Sequence, residues 1–170
     1  MDITRLNPLS RDEFLKTLGG IFEHSPWVAE RASAAGPFAS VAQLHAAMVD
    51  AIHTATRDEQ LALLRAHPEL AGREAEGGTM TPASTSEQGR LGFHALPRTE
   101  LERMNRLNKA YREKFGFPCI IALRDHQTRD TVFAEHERRL GNDLGTEITN
   151  CLAQVFIIAR GRLEKLCSAG

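Results

Sequence analysis

The 170-residue chain carries 21 Lys and Arg against 22 Asp and Glu, a net charge of −1, with 42% apolar and 25% charged residues. That length fits one domain, residues 1–170, able to bury about 70% of its unfolded surface. The charge balance, with Arg and Lys spread along the chain, argues against a nucleic-acid or anionic-membrane partner, since both want a positive excess. Three cysteines, Cys119, Cys151 and Cys167, form an odd set without metal-ligand spacing and read as reduced thiols. Charged residues among the first twenty (Asp2, Arg5, Arg11, Asp12, Glu13) leave no signal-peptide stretch. No apolar run approaches the ~18 residues of a membrane span, and the final Cys-Ser-Ala-Gly is no peroxisomal address. A cytoplasmic location is expected.

Almost every segment reads as helix. Ser10 with Glu13 opens a first one, with Phe14, Leu15, Leu18, Ile21 and Phe22 at helical spacing. Ser25-Pro26 starts a second, with Pro at its first position, and Gly36-Pro37 stops it. Ser40 opens a third along Val41, Leu44, Met48 and Ile52, and Thr56 with Glu59 caps a fourth carrying Leu61 and Leu64 into His67-Pro68. Residues 71–82, rich in Gly and Thr, read as a loop. Ser84-x-x-Glu87 has the spacing of a capping box and reads as the next helix start. Thr99 with Glu102 begins a long helix through Leu101, Met104, Leu107, Tyr111 and Phe115, ended at Gly116. Residues 117–123 then run continuously apolar, too short for a surface helix. They read as a buried extended stretch whose backbone needs partners from side chains, water or a ligand, because no other strand exists to pair it. Segments 128–141 and 146–166 make two closing helices. The fold class expected is all-α: an irregular multi-helix bundle in a single domain.

Few polar groups break this pattern. The proline after His67 biases that residue toward extended backbone and sets its imidazole at an element end. Glu87 lies across the Gly-rich loop from it, and the two together suggest an acid/base pair. None of the seven histidines stands four residues from another, so the two-His zinc helix is absent. Glu135 and Glu137 flank His136 on different helix faces. Cys119 in an apolar run would have a raised, unreactive thiol. No phosphate loop and no nucleophile elbow occur. Arg162 falls at the edge of the core stripe Leu152, Val155, Phe156, Ala159, Leu163 and Leu166, while Arg160 turns away with Gln154 and Glu164. Two readings of Arg162 stand open: it snorkels past the core, or its guanidinium holds a carboxylate or imide of a substrate.

Four blocks, in order, carry a resemblance: Phe22-Glu23-His24-Ser25-Pro26-Trp27, His67-Pro68-Glu69-Leu70-Ala71-Gly72, Ser84-Thr85-Ser86-Glu87-Gln88, and the run from Leu107-Asn108-Lys109-Ala110-Tyr111-Arg112 to Phe115-Gly116-Phe117-Pro118. With them the chain, from about residue 14 to 166, resembles the 2-oxo-4-hydroxy-4-carboxy-5-ureidoimidazoline (OHCU) decarboxylases of urate degradation. Cys119 stands where an aromatic is common in that family, and Ile157 where the last helix often has a basic residue. The resemblance implies an all-α fold, no metal or organic cofactor, and release of CO₂ to give (S)-allantoin. It maps the catalytic pair onto His67 and Glu87. Pro68, Ser84, Gln88, the backbone of Cys119, Ile120 and Ile121, and Arg162 fall on its substrate-contact positions.

The expected partner is therefore a small ureidoimidazoline, with no nucleic acid and no membrane. A homodimer is the commonest symmetric assembly. Two rival readings use the same side chains: a non-catalytic ureide-binding helical module, and a hydrolase acting on a cyclic amide through His67 and Glu87.

Overall fold

A computed structural model describes residues 1–72 and 77–168, and among these every regular element is helical. In chain order they are α1 (Ile3–Leu6), α2 (Arg11–Leu18), α3 (Trp27–Ser33), α4 (Val41–His53), α5 (Arg57–Ala66), α6 (Pro82–Arg90), α7 (Arg98–Phe115), a short 3₁₀ turn (Leu123–Asp125), α8 (Arg129–Arg139) and α9 (Leu144–Ser168). The all-α expectation holds. Of the loop expected over 71–82, residues 73–76 lie outside the described ones, and Pro82 already belongs to α6. None of the described helices is long and apolar enough to cross a membrane.

Local chemistry explains most of the helix ends. Ser10 and Glu13 form the reciprocal capping box read from their spacing. The Ser40 hydroxyl accepts from the Gln43 N–H, and Thr56 and Glu59 bond each other's backbone N–H at the start of α5. Gly116 ends α7 at φ +80°, the left-handed conformation that a residue without Cβ adopts freely. Other ends move by a residue or more. Helix α3 begins at Trp27, after Pro26, and stops at Ser33, three residues short of Gly36. Helix α7 begins at Arg98 behind Pro97, not at Thr99. In α5 the core is met by Leu63 and Leu64, whereas Leu61 is only half-buried.

The chain groups into two compact units, Met1–Ala66 with the part from Phe156 onward, and His67–Val155. In the first, α3 packs on both α2 and α4, around Phe14, Leu18, Val28, Leu44, Met48 and Ile52. The side-chain amide of Asn7 donates to the Phe38 carbonyl and accepts from its N–H, closing the loop between α3 and α4. The Gln60 amide donates to the Ile52 carbonyl at 2.8 Å.

The second unit has a polar centre. Arg139 (1% exposed) and Glu147 (0%) form an ion pair with Nε to Oε1 at 2.8 Å. The Tyr111 hydroxyl donates to the same carboxylate oxygen at 2.5 Å, and the side-chain amides of Asn142 and Asn150 donate to the other. Burial alone would raise the Glu147 pKa, but these donors and the guanidinium hold it below its ordinary value. A second buried group, His136 (0% exposed), bonds the Asn108 side chain at 3.0 Å, Nε2 to Oδ1. Desolvation pushes its pKa down to about 4, so the imidazole is neutral at pH 7. Burial raises the Cys119 thiol, as its apolar run implies.

Two outcomes test this centre. Glu147→Leu leaves the Arg139 charge buried without its carboxylate and should cost about 3–5 kcal/mol in urea unfolding. The His136 pKa is depressed in the folded state, so the unfolded chain takes up the proton first, below pH 6.5. Stability should fall by about 3 kcal/mol between pH 6.5 and 4 on account of this residue, from a shift of 6.5 to about 4. In His136→Gln that part of the acid dependence should vanish, as urea titrations at several pH values will read.

Candidate active site

Helix α5 ends at Ala66, and Pro68, which has no N–H and disfavours helix at its neighbour, follows His67 directly. His67 is half-buried and Pro68 buried. The chain then makes a tight loop in which Ala71 adopts φ +49°, a left-handed conformation rare for a residue with a Cβ. Polar side chains from elsewhere pin it. Gln88 accepts from the Ala71 N–H at 2.9 Å and donates to the Glu69 carbonyl at 3.0 Å. The Asn108 amide donates to the Leu70 carbonyl at 2.8 Å, and Arg112 pairs with the Glu69 carboxylate.

Gln88 belongs to α6, whose start differs from the sequence expectation. Thr81 is the N-cap, its hydroxyl accepting from the Ser84 N–H, and Pro82 occupies the first turn. The Ser84–Glu87 capping box is therefore overturned. The threonine-proline pair three residues earlier supplies both an acceptor and a preset φ, so the helix begins there. Glu87 consequently lies in the middle of α6, half-buried, and not in its first turn. Ser84 and Gln88, four residues apart, share the buried face of this helix. Gln88 thus ties the helix that carries Glu87 to the loop that follows His67.

The segment 117–122 is non-helical and buried, as its composition implies. Side chains serve its backbone. Arg139 donates to the Ile120 carbonyl at 2.5 Å, the Cys151 thiol faces the Pro118 carbonyl at 3.8 Å, and Gln154 accepts from the Ala122 N–H at 2.8 Å. Gln154, expected to turn away from the core, is thus corrected: a buried N–H attracts its amide. Arg90 from α6 bonds the Leu123 and His126 carbonyls, so α6 braces this end of the segment too.

Arg162 lies in the other unit. It is 8% exposed, and its Nη1 donates to the Glu23 carboxylate and to the Ile21 carbonyl, both at 3.1 Å. A buried ion pair replaces the snorkelling reading, and it gives Glu23 of the Phe22-Glu23-His24 block a definite task. Arg160 does turn away, pairing with Glu164.

Sequence reasoning missed Asn108, His136, Arg139 and Glu147 as structural polar residues. A signal existed: Asn108 stands in register with Met104, Tyr111 and Phe115, and His136 and Arg139 with Val132 and Phe133, all buried. A polar residue inside an apolar stripe requires a buried partner. Among the described residues no group of three or more His, Cys, Asp or Glu side chains is arranged to hold a metal ion.

The sequence profile described as OHCU decarboxylase matches residues 7–164. A 2-oxo-4-hydroxy-4-carboxy-5-ureidoimidazoline decarboxylase from Haloferax volcanii is 43% identical over 99% of this chain and 98% of its own. The mouse protein of that name (Mus musculus) is 35% identical over 99% of this chain and 94% of its own. Among solved structures, an (S)-allantoin synthase superposes with a TM-score of 0.78 at 33% identity, covering 98% of this chain and 54% of that one. An OHCU decarboxylase crystallised in the presence of (S)-allantoin shares the fold, with a TM-score of 0.69 at 23% identity over 92% of this chain and 98% of its own. With the profile covering nearly its whole length and relatives matched from end to end, this chain belongs to the OHCU decarboxylase family.

Proposed function

We infer that the protein is a carboxy-lyase that converts 2-oxo-4-hydroxy-4-carboxy-5-ureidoimidazoline to (S)-allantoin and CO₂ in urate degradation. The observation that carries this reading is the end-to-end family match. The linkage of the His67 loop to the Glu87 helix through Gln88 supports the choice of residues.

The substrate's own structure makes the reaction feasible without an electron-accepting cofactor. A carboxylate and a hydroxyl share one ring carbon, next to a carbon double-bonded to nitrogen. As the carbon–carboxyl bond breaks, its electron pair forms a new ring double bond and the imine nitrogen takes a proton. The resulting enol then gives up its hydroxyl proton as the carbonyl forms, while the neighbouring carbon gains one on a single face. One proton is consumed overall. The protein must supply orientation and proton management.

In this reading His67 hydrogen-bonds the substrate hydroxyl or departing carboxylate and shuttles a proton, a task suited to an imidazole whose ordinary pKa lies near neutrality. Glu87 polarises the same hydroxyl or holds the opposite ring edge. Its assignment rests on the resemblance, and the Gln88 bonds to Glu69 and Ala71 place its helix beside the loop that follows His67. Pro68, Ser84, Gln88 and the backbone of Cys119, Ile120 and Ile121 line the substrate. Gln88 does so while bonded to the loop, so its part is to shape the wall. The part given to Arg162 rests on the resemblance alone. We also propose that residues 1–170 work as one functional domain, that a homodimer forms, and that three unpaired thiols suit a reducing cytoplasm.

The test makes the unstable substrate enzymatically in the cuvette and follows product handedness by circular dichroism. Stereospecific allantoin formation faster than spontaneous decay is expected. Ring opening without CO₂ would instead mark a hydrolase, and binding without turnover a ureide-binding module. His67→Ala should lower kcat by about 10²–10⁴-fold; near-full turnover would reject the assignment. For Glu87→Gln a comparable loss of rate is expected at unchanged helical content. A variant that only melts earlier, with its rate intact, would return Glu87 to a structural role.

A further inference from the structure

The most telling unused feature is a buried chain of hydrogen bonds that ends on the His67 loop. Asn108 is 4% exposed on α7, and its side chain contacts no reacting group assigned above. One end of its amide meets the Leu70 carbonyl at 2.8 Å, the other meets His136 Nε2 at 3.0 Å. A carbonyl oxygen only accepts, so Nδ2 faces Leu70 and Oδ1 faces the imidazole. His136 must therefore present an N–H at Nε2. Its Nδ1 is buried without a hydrogen-bond partner among the described residues, so the ring is held by the Asn108 bond and by T-shaped packing against Tyr111, with centroids 5.7 Å apart.

Leu70 is three residues after His67, with the stiff Pro68 between them. The loop has a non-glycine residue at positive φ next to Leu70, a conformation that persists only where the surroundings hold it. Gln88 holds the carbonyl before Leu70 and the N–H after it, and Asn108 holds the carbonyl of Leu70 itself. Without Asn108 the Leu70 carbonyl would lie buried and unpaired, and the loop would relax to find it another donor.

We propose that Asn108, oriented by the His136 ring, is a positioning residue for catalysis: it fixes the Leu70 carbonyl and through it the placement of the His67 imidazole. This rests on the reading of His67 as the acid/base group. The geometry asks for two properties at position 108, a donor toward Leu70 and an acceptor toward His136. Asn alone among near-isosteres offers both. Asp keeps the acceptor and loses the donor.

The test compares Asn108→Asp with the parent protein in the coupled circular-dichroism assay, well below each protein's melting temperature. We expect kcat to fall by about 10²-fold with a small change in KM, the size of effect that a misplacement near 1 Å produces. In a His67→Ala background the same substitution should cause no further loss, since the group it positions is gone. At position 136, Gln retains a side-chain N–H for Asn108 and should keep most of the rate, whereas His136→Leu should lose it. That pair carries the test if Asn108→Asp does not fold. The inference is overturned if Asn108→Asp lowers only the melting temperature, if its loss of rate persists undiminished in the His67→Ala background, or if His136→Gln and His136→Leu are equally impaired. Full turnover by His67→Ala alone would overturn the acid/base reading instead, an outcome distinct from these three.

Discussion

Everything in the second unit hangs on one constraint: an apolar, non-helical segment lies in the protein interior with no strand among the described residues to pair it. Buried backbone carbonyls and N–H groups must be satisfied. Here the partners are long polar side chains, chiefly Arg139. Its guanidinium can serve Ile120 only because Glu147, Tyr111 and Cys151 surround it in the same interior. An isolated buried charge would be expelled, and a buried pair alone contributes little net stability. What the pair contributes is geometry. It fixes the path of the chain through Cys119, Ile120 and Ile121, residues whose backbone is proposed to meet the substrate.

The helix that carries Arg139 also acts toward the loop after His67. His136 and Arg139, one turn apart on α8, are both buried. The first orients Asn108 toward the His67 loop, and the second holds the 117–122 segment. Helix α6 repeats the pattern: Gln88 ties down the loop after Pro68, and Arg90 holds the carbonyls of Leu123 and His126. Helix α6 thus bonds both irregular stretches directly, whereas α8 bonds one directly and the other only through Asn108 of α7. Rigid helices positioning irregular chain is the common arrangement for binding and catalysis, because loops alone cannot hold a reacting group to a fraction of an ångström.

Much of this was legible beforehand. Caps at Ser10, Ser40 and Thr56 follow from side chains that bond only their own helix start, so local sequence suffices. The break at Gly116 and the non-helical character of 117–122 follow likewise from local composition and φ preference, whereas Leu123, read as the last extended residue, already belongs to the 3₁₀ turn. The Ser84–Glu87 spacing misled because a Ser-x-x-Glu pattern occurs inside helices as well as at their starts. Thr81-Pro82 outcompeted it, and no window confined to Ser84 and beyond would show that. Gln154 was misplaced for a different reason: helical periodicity assigns a polar residue to solvent unless a buried N–H is known to face it, and that N–H lies 32 residues away.

What the amino-acid order determined by itself was the class of fold, the helix starts capped by Ser10, Ser40 and Thr56, the histidine set before a proline, and the family. Each depends on contacts within a turn or two of helix, or on motif identity. Only tertiary structure decided which polar residues became interior braces. The bonds from Asn108 to Leu70, Gln88 to Ala71 and Arg139 to Ile120 join positions 17 to 38 residues apart. A polar side chain in an apolar stripe announces that it needs a partner, but the partner is chosen by whichever backbone group packing leaves unsatisfied beside it.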